Sequence, residues 1–346
     1  MQTCIVPPFV PGIELNRDFY ERVVGPILQG HSHAAGLLGW GSDVLGFDDE
    51  RSTDHGWGLR LNIFVDANDV ASTHDLIDRS LPDVFREWPV RYGWDAVPVQ
   101  HHVKVHTLDS WLTEQLGFDL GEGPTTQQWL LIPQQRLLGI TGGGVFHDDT
   151  GKLAKVRSRL ARFPEDLWMW MLAAQWQRIA ESEAFLGRTI EVGDDLGSRL
   201  VSARLARELM RLWFLLHQTH WPYEKWFGSA FSRLPNASSL GNSLTQMMSA
   251  SDPSVVLTAF AAALETVAQK HNELGRTEHV DPSLRSYHSR GFQVLRADRF
   301  VEACLAYVQH PTLRAAPLIG SIDQWIDSID VLEYPERALL GNSLYQ

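Results

Sequence analysis

Cysteine is nearly absent from this chain. Cys4 and Cys304 are the only two in 346 residues, one near each end. That leaves no disulfide framework and no thiolate metal spacing, and it predicts a protein of a reducing cytoplasm. No stretch approaches the ~18 consecutive apolar residues of a membrane span. The opening MQTCIVPPFVPG has no basic segment and carries prolines where an export signal needs a helical apolar stretch, so no targeting segment is expected. Basic charge is in deficit, with 30 Lys and Arg against 42 Asp and Glu and a formal net charge of −12. Such a surface repels a phosphate backbone or an anionic membrane, which argues against nucleic acid and membrane as partners. A local basic pocket can still hold a small phosphate ligand.

What is present is a globular composition rich in large aromatics, including 13 tryptophans. The length exceeds what one hydrophobic core fills, which predicts two domains. In the first third, AAGLLGW (34 to 40), LRLNIFV (59 to 65) and HHVKVH (101 to 106) read as strands, while residues 68 to 88 and LDSWLTEQLG (108 to 117) read as helices, the latter closed by Gly117. Beyond a glycine-rich connection at 140 to 152, long helical segments dominate, one with Leu196, Leu200, Leu205, Leu209, Leu212 and Leu216 at helical spacing. The expected class is α+β: an α/β domain with a mixed sheet over residues 1 to 150, then a helical-bundle, substrate-binding domain over 151 to 346, with a ligand cleft between them.

The strand AGLLGW runs into Gly41-Ser42, where glycine permits close backbone approach and the exposed amides and Ser42 hydroxyl suit phosphate oxygens. Eleven residues then intervene before Asp54. This arrangement resembles the nucleotidyltransferase superfamily, in which a hydrophobic-Gly-Ser turn is followed by Asp-x-Asp/Glu. A more specific resemblance, over nearly the whole chain, is to a bacterial family described as domain of unknown function 4037. It is carried by GSDVLGFDDERSTDHGWG, GGGVFHDDTG, FLGRTIEVGDDLGSRLVSARLARELMRLWFLL, YEKWFGSAF and PLIGSIDQWIDSIDVL. The resemblance implies a nucleotidyltransferase-like domain joined to a helical bundle, similar in arrangement to the kanamycin and lincosamide nucleotidyltransferases. It also implies magnesium ions on carboxylates, ATP or another nucleoside triphosphate as co-substrate, and a small-molecule acceptor.

The chain departs from that pattern at two places. Gly56 stands where the second carboxylate belongs, and Lys104 is the natural counterpart of the third, so a magnesium site rests on Asp54 alone. Three readings stay open. Either Asp54, His55 and Lys104, with His102 or His106, carry altered chemistry with side-chain charge in place of a cation, or the domain binds a ligand or a partner without transfer, or the cleft is reused for metal-free acid/base chemistry through His55 and Lys104. Asp43, Asp48, Asp49 and Glu50 read as a solvated loop, with Asp48 or Asp49 as replacement ligands. His147 and Asp148 read first as a turn and second as a metal site.

In the helical half, Arg204, Glu208 and Arg211 fall at i, i+4 and i+7, on a face opposite the leucines. That reads as a solvated surface, or as an anion-binding face including Arg207. Arg188, with Glu181 and Asp194, lies around Gly187, read as a helix stop where a loop presents groups to a ligand. Lys225 is the candidate phosphate contact of this half and Tyr223 the candidate stacking group.

Overall fold

The computed structural model describes residues 7 to 345, so Cys4 lies outside the described residues. The chain forms two compact units. The first runs to Pro124 and resumes at Gln134–Ala161; the second takes Thr125–Pro133 and everything from Arg162 onward.

The first unit is built on strands β1 (Ala34–Leu37), β2 (Arg60–Phe64), β3 (Arg91–Trp94), β4 (Val97–His106) and β5 (Gly144–Asp148), in the order β3-β4-β2-β1-β5. The sheet is mixed. β1 is antiparallel to β2 and β5, with Ala34 opposite Phe64 and Ala35 opposite His147, while β2 runs parallel to β4, with Arg60, Asn62 and Phe64 beside His102, Lys104 and His106. β1 is buried at every position, as expected of an interior strand flanked on both edges. The helix α1 (Gly12–Phe19) sends Leu15 and Phe19 into a core shared with Leu59, Leu61, Ile63 and Val103.

The segment read as one helix over 68 to 88 divides. A helix α2 (Val70–Ser80) is followed by a short hairpin pairing Val84–Phe85 with Trp88–Pro89. Its turn holds Arg86 and Glu87 at φ 47° and 66°, a conformation that no glycine marks in the sequence. The helix over 108 to 117 forms as α3 (Leu108–Leu116), capped by Thr107 and ended by Gly117 at φ 80°. The glycine-rich connection is not a plain linker. It contains β5, followed by α4 (Lys152–Leu160), which belongs to the first unit.

The second unit is helical. α5 (Glu165–Glu191) starts after Pro164, with Glu165 and Asp166 in its first turn, where the dipole favours acid. Every residue from Leu167 to Trp176 is buried, the mark of a central helix surrounded by others. α6 (Asp195–Leu216) begins at Asp194, whose side chain accepts from the Gly197 amide, and packs extensively on α5. Its leucine stripe is interior only from Leu205 onward, since Leu196 and Leu200 are 71% and 65% exposed. Around these helices stand α7 (Glu224–Ser232), α8 (Ala237–Ser249), α9 (Pro253–Glu273) and α10 (Asp298–Tyr307). Among the described residues no helix is long and apolar enough to cross a membrane.

Gly187 does not stop a helix. It lies inside α5, where a Cβ would sit 2.4 Å from the Phe292 ring. Glycine to alanine in a helix ordinarily stabilises by about 1 kcal/mol. Here the overlap prevails, and Gly187→Ala is expected to destabilise the second unit by about 1–3 kcal/mol, read by urea denaturation.

His271 on α9 gives a pH test. It is 2% exposed, accepts from the Trp176 indole N–H at 3.2 Å through Nδ1, and is pushed down by burial to about 4. A histidine whose folded pKa lies below its unfolded value stabilises fully above about 6.5 and loses that contribution as pH falls through the interval to about 4. Glu183 acts in the opposite sense, since burial raises it to about 7. The informative quantity is therefore the difference between wild type and His271→Gln. Thermal melts between pH 7 and 4.5 are expected to show a wild-type decline that the variant lacks.

Candidate functional site

β1 ends at Leu37, and the chain turns through Gly39, Trp40 and Gly41 into the single helical turn Ser42–Leu45. Gly41 has φ 126°, and a Cβ on it would lie 2.3 Å from Arg60 Nη2 and 2.4 Å from Asp43 Oδ1. The reason is an ion pair directly beneath the turn. Arg60, the first residue of β2, donates from Nε to Asp43 Oδ2 at 2.9 Å, and its Nη2 donates to Asp43 Oδ1 and to the Trp40 carbonyl. The Asp43 side chain is 1% exposed and that of Arg60 11%. Burial opposes the guanidinium charge, but the adjoining Asp43 carboxylate outweighs it and holds Arg60 above its ordinary range. Asp43 is thus no solvated loop residue. Asp48 is also committed, accepting from the Gly12 amide and, at 2.9 Å, from the Trp57 indole, and Asp49 caps the helical turn Glu50–Asp54.

Asp54 ends that turn, ahead of β2 rather than on it. It is exposed and pairs with His55, Nδ1 to Oδ1, at 2.8 Å, with His55 exposed as well. Gly56 is buried at φ 63°, and a Cβ would lie 2.7 Å from the Trp40 ring. The missing carboxylate therefore cannot be restored there without moving Trp40. The superfamily's pair of magnesium ions does not fit these residues. Gly56 supplies no second acid two residues after Asp54, Asp43 at the Gly-Ser turn is consumed by Arg60, and Lys104 brings positive charge. Among the described residues no group of three potential metal ligands includes Asp54.

The geometry gathers a different set. Arg60 and Asn62 on β2 share a sheet face with their cross-strand neighbours His102 and Lys104 on β4. Asn62 donates to the Leu38 carbonyl at 3.0 Å, tying this face to the turn. Aromatic groups border it. Arg60 lies over the Trp40 ring, Trp40 meets Trp94 edge-on at 6.3 Å, and Tyr92 and Trp94 both pack on His102. Trp40 is 55% exposed. Burial pushes His102 below its ordinary pKa, assisted by Lys104 and Arg60, and burial also lowers His106. Lys104 is exposed and forms no ion pair among the described residues. With His106 it also borders a hollow of about 570 Å³ whose lining includes His74, Asp78, Arg91 and His101. Arg60, Tyr92, Trp40 and Trp94 were not read from the sequence as site residues; the exposed Trp40 beside Gly41-Ser42 was the available signal.

In the second unit the expected residues have different surroundings. Arg188 is exposed over the Phe185 ring, and Arg204 is exposed on α6. Glu208 and Arg211 are buried rather than solvated. Glu208 accepts from Arg178 Nε and Nη2 at 3.0 and 2.9 Å and from Gln175 at 2.7 Å, with Arg211 Nη1 at 3.7 Å. Arg211 also donates to the Gln324 carbonyl, so it is a structural group. Tyr223 and Lys225 do form a local cluster: the Trp226 indole donates to the Tyr223 hydroxyl at 2.9 Å, and Lys225 lies over the Trp226 ring.

Comparison with known proteins adds a match over part of the chain. Residues 129–227 match the family model Domain of unknown function (DUF4037). That span contains GGGVFHDDTG, the FLGRT stretch with α6, and YEKWF, while GSDVLGFDDERSTDHGWG and PLIGSIDQWIDSIDVL lie outside it. A solved structure, that of a nucleotidyltransferase-like protein from Exiguobacterium sibiricum 255-15, is similar at TM-score 0.33 and 13% identity, covering 86% of this chain and 89% of the other. The comparison with curated proteins gives no match.

The ion pair and the loop acid make opposite predictions. Asp43→Ala leaves a buried guanidinium unpaired and is expected to cost about 3–5 kcal/mol in urea denaturation. Asp54→Asn, at an exposed position, is expected to stay within about 0.5 kcal/mol of wild type.

Proposed function

We propose that the first unit binds a phosphorylated small molecule, with a nucleoside triphosphate such as ATP foremost, on the sheet face beside the Gly41-Ser42 turn, and that side-chain charge replaces metal ions there. The observation that carries this reading is the position of Lys104 on the same face as Arg60, Asn62 and His102, with no ion pair to a carboxylate among the described residues. A lysine is a point charge suited to phosphate. Trp40 and Trp94 supply aromatic surface for a base, and the half-buried Gly41 and Ser42 lie at the turn that Asn62 adjoins. The reading is further supported by the nucleotidyltransferase resemblance of the Gly-Ser stretch. Transfer to a small acceptor is the further step that resemblance implies; with the magnesium carboxylates replaced, binding without metal-assisted transfer is the function this geometry supports best.

Isothermal titration with ATP, GTP, CTP and UTP, with and without magnesium or a chelator, tests it, alongside a pyrophosphate-release assay. The expected result is binding that survives chelation, weakens at least tenfold in Lys104→Glu and in Trp40→Ala, and is unchanged in Asp54→Asn and His74→Ala. Loss in His74→Ala with Trp40→Ala unaffected places the ligand in the neighbouring hollow and refutes the face proposed. Magnesium-dependent pyrophosphate release abolished by Asp54→Asn overturns the reading in favour of transfer. So does the absence of binding for any nucleotide, which removes the phosphate ligand altogether.

A further inference from the structure

The Gly41-Ser42 face leaves unused another concentration of potential ligands, at the far edge of the same sheet. The chain enters β1 at His33, and the antiparallel pairing of β5 with β1 sets Ala35 opposite His147 and Ala34 opposite Asp148. His147 and Asp149 thereby come alongside His33. Each of the three offers one ligand atom, and these atoms lie within 4.8 Å of one another. We propose that His33, His147 and Asp149 form a binding site for a divalent first-row transition metal ion, with zinc as the best fit.

The surrounding contacts orient the ligands as an outer shell does. His33 Nδ1 lies 2.7 Å from the His31 carbonyl oxygen. That oxygen only accepts, so Nδ1 carries the proton and Nε2 presents its lone pair. A metal-binding histidine ordinarily has its other ring nitrogen fixed in this way. The second carboxylate oxygen of Asp149 accepts from the His33 backbone N–H at 3.0 Å, while Asp149 donates its own amide to the His33 carbonyl. Oδ1 of Asp149 is then directed to His147 Nε2, at 2.9 Å. The two imidazoles stack with centroids 4.4 Å apart. Asp148 is not in this group: its Oδ2 accepts from the Ala154 amide in α4, and its carboxylate is not among the ligand atoms that gather within 4.8 Å.

Two imidazoles and one carboxylate suit zinc and its neighbours rather than magnesium or calcium, which prefer all-oxygen sites. Bonds of about 2.0–2.2 Å place tetrahedral donors about 3.4 Å apart. The side chains of His147 and Asp149 are 36% and 40% exposed, which gives them room to close the remaining gap and leaves a path for the ion. Tyr20 holds the place meanwhile: with Nδ1 protonated, its hydroxyl donates to His33 Nε2, at 2.9 Å. An ion takes over that lone pair, so Tyr20 competes with the metal. The bound ion would clasp the edge strand β5 to the entry of β1.

Chelator-stripped protein is titrated with zinc by calorimetry and with cobalt(II) by visible absorption. One ion per chain is expected, with cobalt giving the intense bands of four-coordinate geometry and zinc raising the melting temperature by several degrees. His147→Ala, at a half-exposed position, and Asp149→Ala, at an exposed one, are expected to weaken zinc at least tenfold and to abolish the thermal shift. Tyr20→Phe is expected to bind at least as tightly as wild type. The absence of saturable zinc binding overturns the proposal, as does zinc binding that both alanine variants leave unchanged. Nucleotide titrations of His147→Ala keep this result separate from the function proposed above.

Discussion

A carboxylate whose side chain is 1% exposed must be met by a cation and by hydrogen bonds, or it will not stay ionised. Asp43 is met by Arg60, and much of the first unit follows from that pairing. The guanidinium spans from β2 to the turn leaving β1, bonding the carboxylate and the Trp40 carbonyl together. Its volume leaves no space for a side chain at residue 41, so the glycine of Gly41-Ser42 serves the ion pair as much as any ligand. Trp40, lying over the guanidinium, is held at the surface with its ring partly in solvent. The same pairing removes the acid nearest the turn from metal binding.

The helical unit uses a related device at its centre. Glu208 is completely buried on α6 and is satisfied by Arg178 and Gln175 from α5. Gln175 in turn accepts from Gln324, which also donates to the Met171 carbonyl. Apolar packing alone would let two long helices slide by a turn at modest cost. A fully bonded carboxylate between them tolerates no such slip, because a displaced register leaves a buried charge unpaired.

How much of this was legible in the sequence depends on the range of the interactions. The strands β1 and β2 and the helix α3 carry their signals locally, in apolar runs and in the Thr107 and Gly117 caps. The hairpin after α2 hid because Arg86 and Glu87 adopt positive φ without a glycine to announce it, and because its residues also suit a helix. β5 hid behind glycines that resemble a linker. At the site, Gly41, Ser42 and Lys104 were readable from a motif, and Asp54 was readable only as a motif position. Arg60 was not found, since its partner lies 17 residues away and the pair exists only once β1 and β2 are joined. Glu208 and Arg211 misled for the same reason: helical spacing gives a shared face, but only the neighbouring helix determines whether that face is wet.

The charge pattern at the sheet face is the reverse of what the superfamily resemblance implies. Where that resemblance implies acids that grip a cation, and through it a triphosphate, Gly56 and Lys104 stand, while Asp43, Asp48 and Asp49 are tied to Arg60, Trp57 and a helix cap. In a protein of net charge −12 the far field repels an anion, so attraction has to be local. The histidines nearby cannot supply it, because burial lowers His102 and His106 and the Lys104 charge lowers both further. Arg60 cannot supply it in full either, its charge being offset by Asp43 at contact distance. Among the described residues Lys104 has no ion pair on this face, and that is why the ligand proposed for it is a phosphate.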